Sequence, residues 1–143
     1  MSARAAERGS VSVELALLAP ALLLLLFFAA VAGRTQIAEG AVQEAARSAA
    51  REASLARDAA TAAALAGAQV VRTLAAQNLR CQRTTVDVDT AGFQAPLGQP
   101  GDVTVSVTCV VGMADLLAPG LPGSVTVDAV SYTHLTLPTT PYV

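Results

Sequence analysis

The chain has 143 residues and a net charge of −2; 53% of its side chains are hydrophobic but only 3% aromatic, and all nine basic residues are Arg. That balance excludes a basic nucleic-acid surface, and the absence of Trp removes a stacking platform. The length allows one domain, or a membrane anchor with a small domain, built from Ala, Val and Leu rather than around a large aromatic core.

The first predicted element is an apolar helix. Leu15 to Gly33 is a run of 19 residues without a formal charge. As an α-helix it covers ~28 Å, close to the ~30 Å hydrocarbon core of a bilayer. Its centre, Ala21 to Phe28, has no polar side chain, and Pro20 is a point where the helix is expected to kink. Arg4 and Arg8 precede the run, against Arg34 and the acidic Glu39 beyond it. The positive-inside rule favours a cytoplasmic N-terminus and an extracytoplasmic C-terminal part. A secretory signal peptide is the alternative, with Ala30-Val31-Ala32 as a small-residue site and cleavage before Gly33.

Glu14 stands at the start of this run, where a carboxylate is expensive unless neutralised. The segment Arg8-Gly9-Ser10-Val11-Ser12-Val13-Glu14, leading into Leu15-Ala16-Leu17-Leu18-Ala19-Pro20, resembles the class III signal of type IV pilin-like proteins. More narrowly it resembles the TadE-like proteins of the tight-adherence (Tad) pilus system. The resemblance implies a prepilin peptidase cut between Gly9 and Ser10, which leaves Glu14 as the fifth residue of the mature chain. Cleavage turns the Ser10 amide into an α-ammonium, and the Glu14 of one subunit can pair with the ammonium of its neighbour. A buried carboxylate without such a partner costs several kcal/mol, so pairing sets the register between subunits. The other reading of Glu14 is a solvated residue at headgroup level, favoured by the helix dipole. Leu15 follows where such signals usually carry an aromatic residue.

Arg34 to Leu79 reads as helix. Ala38, Val42, Ala45, Ala49, Ala53, Ala56 and Ala60 recur at three- and four-residue steps, with Glu39, Gln43, Arg47, Arg51 and Asp58 opposite. Such a stripe is expected to face the protein's own core. Asp58 is an N-cap candidate, so a break is expected near Arg57-Asp58 and a second helix from there to about Asn78. Gly40 and Gly67 mark sites of weaker helix and of further bends.

Beyond Arg80 the period changes to two. Thr84–Asp89, Val103–Val111 and Ser124–Asp128 alternate apolar with polar residues, as half-buried strands do. A connection over Gly92, Pro96, Gly98, Pro100 and Gly101 and a turn over Pro119–Gly123 separate them. The expected product is a small antiparallel sheet whose Val face needs a helix to cover it. Cys81 precedes the first strand and Cys109 ends the second. In an antiparallel hairpin the start of one strand faces the end of the other, so the topology predicts a Cys81–Cys109 disulfide, as an extracytoplasmic domain permits. Two buried free thiols are the alternative.

The last residues change character. Val130-Ser131-Tyr132-Thr133-His134-Leu135-Thr136-Leu137-Pro138-Thr139 reads as a translated sequencing adapter, which would place the end of the native frame near Ala129 and leave the family's usual C-terminus missing. Taken at face value the segment is a disordered Thr/Pro-rich tail. Without it the chain has no His, hence no His-based nucleophile or metal constellation. Asp87 and Asp89 read as solvated side chains, and Asp102 and Asp115 lack evident partners. No enzyme activity, cofactor or metal is expected.

The sequence therefore predicts a pilin-like α+β bitopic membrane protein. It divides into a cytoplasmic leader (1–9), a transmembrane segment (10–33), extracytoplasmic helices (34–79), a sheet of about three strands (80–129) and the anomalous tail (130–143). The resemblance implies a role in Tad pilus assembly. Its partners would be membrane lipid, a prepilin peptidase, the inner-membrane assembly platform and other pilin-like subunits, and not nucleic acid. The alternatives are an unprocessed bitopic envelope protein that binds a partner, and a secreted domain released after Ala32.

Overall fold

The computed structural model describes residues 3–96, 99–116 and 120–135, with side chains from Val13 onward. Within the connections expected from the sequence, Gly98 and Pro119 lie outside the described residues, as do Leu117 and residues 136–143 of the tail. The order is a helix α1 (Ala3–Ser54), a helix α2 (Ala59–Ala76), a strand β1 (Cys81–Asp89), a 3₁₀ turn (Ala91–Gln94), a strand β2 (Gly101–Gly112), a one-turn helix α3 (Met113–Leu116) and a strand β3 (Ser124–Leu135). This is the expected α+β class: a long apolar N-terminal helix, a second helix and a three-stranded antiparallel sheet of order β1-β2-β3. The chain forms two compact units, residues 1–35 and 36–143, and α1 contributes to both.

In the first unit every described side chain from Val13 to Ala30 is exposed, including Leu17, Leu22 to Leu26, Phe27 and Phe28. A helix that is apolar all round has no polar face to offer water, so it requires an apolar environment from outside its own chain. α1 runs helical through both Pro20 and Gly40, so the backbone does not break at either.

In the second unit the Ala stripe of α1 meets the Val face of the sheet. Ala38, Val42, Ala45, Ala49 and Ala53 are buried as expected, and Ala41, Ala46 and Ala50 join them. Ala56 is half-buried and Ala60 is not buried, because α1 ends at Ser54 and neither continues its face. The buried face is wider than a single stripe because one core gathers α1, α2 and the sheet. The hydroxyls of Ser48 on α1 and Thr73 on α2 share a hydrogen bond of 3.1 Å, which satisfies both where the two helices meet.

Both ends of α2 follow from local chemistry. Asp58 is the N-cap: the Thr61 backbone N–H donates to Oδ1 at 2.8 Å and the Thr61 hydroxyl donates to Oδ2 at 2.7 Å. These bonds, the backbone one foremost, hold the Asp58 carboxyl below its ordinary value. At the other end Asn78 adopts φ 54°, the left-handed region that Asn tolerates. The Leu79 N–H then donates to the Leu74 carbonyl and the Asn78 N–H to the Ala75 carbonyl, a Schellman closure.

β2 is the central strand. Val103, Val105, Val107, Cys109 and Val111 are at most 1% exposed, whereas the alternate Thr104, Ser106 and Thr108 face away from the core. β1 begins at Cys81, three residues earlier than the alternation indicated. The register shifts between Cys81 and Arg83, so Gln82 is bulged out of the ladder. Backbone contact between Gly92 and the Gly101–Asp102 segment closes the β1–β2 connection, and a Cβ on Gly92 would overlap the Asp102 backbone.

β3 departs from expectation. It does not stop at Asp128 but runs to Leu135, pairing residues 130–135 with β2 from Ser106 back to Gly101. The reading of the segment from Val130 as disordered is corrected for these residues. They include Val, Tyr, Thr and Leu, which suit a strand, and they lie along the edge of β2 that faces away from β1. The alternation inverts there, however. Val125, Val127 and Ala129 face inward, then Ser131 and Thr133 do, while Val130 and Tyr132 point outward at 57% and 72% exposure.

Candidate functional site

The sequence singled out two places, and the fold keeps them in separate units. The first is the N-terminal processing region. Gly9 and Ser10 lie within the helical backbone of α1. Glu14 follows one turn later and is exposed. It is placed at the head of the uncharged run that ends at Gly33. A carboxylate on an apolar helix can accept hydrogen bonds or pair with a cation, but it offers no second group for proton transfer.

Two helices are long and apolar enough to cross a membrane by length and composition, α1 and α2. They differ in what they do with their apolar residues. α2 buries Ala62, Ala66, Val70 and Leu74 in the core of the second unit. The apolar stretch of α1 is wholly exposed in this chain, which marks α1 as the membrane-anchor candidate.

The second place is the cysteine pair. Cys81 and Cys109 form a disulfide, with Cα atoms 5.4 Å apart. Cys109 stands opposite Thr84 in the register, and Cys81 reaches it across the Gln82 bulge. Cys109 is fully buried and Cys81 half-buried. Beside Cys81 opens a cavity of about 360 Å³, whose lining includes Val71, Leu74, Leu79 and Arg80. Nothing in the sequence pattern pointed to this cavity, because it depends on where α2 stops relative to the end of β1.

Among the described residues no group of three or more His, Cys, Asp or Glu could hold a metal. Asp87 and Asp89 are exposed on the outer face of β1. Asp102 is exposed and pairs with His134 of β3 at 2.5 Å, a contact that only the paired tail segment supplies. A second open cavity, of about 420 Å³, is lined by Glu39, Gln43 and Asp128 among others.

No curated protein and no solved structure matches the chain. A family model does: the one described as TadE-like protein matches residues 9–51. The match starts at Gly9, includes Glu14 and the whole apolar run, and ends in the Ala-rich part of α1 that enters the core of the second unit. The matched model is that of the family which the Gly9–Glu14 motif resembled.

Proposed function

We propose that this chain is a membrane-anchored, pilin-like protein of Tad-type pilus assembly. The family match over residues 9–51 carries the reading, because it joins the Gly9–Glu14 motif, the apolar run and the start of the second unit in one segment. In this reading residues 10–33 span the membrane once. Arg4 and Arg8 hold the N-terminus in the cytoplasm. The disulfide supports an extracytoplasmic second unit, since such bonds persist in oxidising compartments.

A prepilin peptidase cuts between Gly9 and Ser10. The new Ser10 ammonium of one subunit neutralises Glu14 of another within an assembly of apolar helices, so insertion and charge pairing, not turnover, are the working chemistry. Its partners are the peptidase, membrane lipid, the inner-membrane assembly platform and other pilin-like subunits. The uninterrupted family match across Ala32 favours retention of the helix over release of a secreted domain.

The test is genetic. Cells lacking the protein should lose Tad pili, and the intact chain should restore them. Gly9→Leu should neither be processed nor restore piliation. Normal piliation without the protein would overturn the role, and processing of Gly9→Leu at Ser10 would overturn the peptidase assignment.

A further inference from the structure

The two sulfurs of the disulfide are not equivalent. Cys109 lies within the central strand, on its buried face, and is 0% exposed. Cys81 is the first residue of an edge strand, next to a bulge, and is half-buried. The cavity of about 360 Å³ at the end of α2 is lined by Cys81, Val71, Leu74, Leu79, Arg80 and Thr84, and not by Cys109. Thiol–disulfide exchange is a displacement at sulfur, in which the attacking thiolate arrives opposite the bond that breaks. Attack at Cys81 therefore comes from its side away from Cys109. Attack at Cys109 would have to come through the packed core. Arg80, next to Cys81 in sequence, is a cationic residue among those that line the cavity.

We propose that Cys81 is the exchange sulfur of this protein and Cys109 its internal resolving partner, with the cavity admitting a thiol or disulfide carried on a short peptide. When the bond forms, the Cys81 thiol loses its proton and the thiolate attacks one sulfur of an external peptide disulfide. That bond breaks, and one external thiolate leaves with the electron pair. The Cys109 thiolate then attacks Cys81 Sγ in the mixed disulfide and expels the second external thiolate. Two protein thiols are oxidised, one external disulfide is reduced to two thiols, and the two protons pass to the leaving thiolates. Reduction follows the same path backwards, with the first mixed disulfide on Cys81.

Glutathione is the probe. The full-length oxidised protein in detergent is exposed briefly to reduced glutathione, quenched in acid, alkylated and mapped by mass spectrometry. Glutathione should be found on Cys81 and the alkyl group on Cys109, in about tenfold excess or more over the reverse pattern. Equal labelling, or glutathione mainly on Cys109, would overturn the assignment. A second measurement uses oxidised glutathione on the single variants under native conditions. The Cys81 thiol of Cys109→Ala should form its mixed disulfide about tenfold faster or more than the Cys109 thiol of Cys81→Ala. Equal rates contradict the proposal. Neither measurement depends on the compartment or on pilus assembly, so failure here leaves the proposed function standing, and failure there leaves this assignment standing.

Discussion

Reducing the Cys81–Cys109 bond is the perturbation whose magnitude follows most directly from the fold. The cysteines are 28 residues apart in sequence. The chain-entropy relation for a loop of that size gives about 12 cal/mol/K, or ~3.6 kcal/mol at 25 °C, as the destabilisation when the closed loop is released in the unfolded chain. Against a typical total of ~5–15 kcal/mol this is a large fraction. Chemical reduction is cleaner than Cys109→Ser, because Cys109 is fully buried and a serine hydroxyl there would add an unsatisfied polar group. The assay is a urea titration of the full-length protein in detergent, followed by circular dichroism, with and without a phosphine reductant. With a slope of ~1–2 kcal/mol/M for a unit of this size, the transition of residues 36–143 should fall by roughly 2–3.5 M on reduction, with little change in the native spectrum. Coincident transitions would refute the argument: the loop would then be equally constrained in the unfolded chain without the bond.

Three further predictions concern the second unit. Gly92→Ala places a Cβ on the Asp102 backbone and should destabilise by about 1–3 kcal/mol, whereas Gly67→Ala, in helix with nothing within 4 Å, should stabilise by up to ~1 kcal/mol. Urea midpoints moving in the same direction would contradict this. Ala49→Leu overpacks a position that is 0% exposed and should lose about 1–3 kcal/mol, while Ala64→Leu on the exposed side of α2 should be close to neutral by the same titration. The Asp58 carboxyl is held below its ordinary value of 3.8 by the Thr61 bonds, so its contribution is fully present above that value and is lost as pH falls through the lower folded value. Amide exchange at Thr61 should therefore accelerate, after correction for intrinsic rates, only as pH falls below 3.8 in the wild type. In Asp58→Ala exchange should be fast throughout; protection that is pH-independent in the wild type would remove Asp58 as the cap.

Much of this fold is legible in the sequence because its signals are local. Asp58 and Asn78 bracket α2 through bonds within a few residues of themselves, and the Val103–Val111 alternation alone assigns the inner face of the central strand. The disulfide follows from two strands being antiparallel neighbours, which needs topology but no side-chain detail. What escaped depends on tertiary context. The Gln82 bulge appears only when β1 is laid against β2. Ala41, Ala46 and Ala50 become core because α1 packs into a core shared with α2 and the sheet, not against one neighbour. β3 extends to Leu135 along the free edge of β2, and the reading of Val130–Thr139 as a translated adapter had set those residues aside. For the processing region, backbone and burial locate Glu14 on an exposed apolar helix.

Processing at Gly9 and retention of the apolar helix are read together from the intact mass and N-terminal sequence of the protein purified from membranes of cells that express the prepilin peptidase. The expected chain begins at Ser10, with Glu14 as its fifth residue, and keeps the apolar run through Gly33. A chain that retains Gly9 would contradict processing, and one that begins at Gly33 would contradict membrane anchoring altogether.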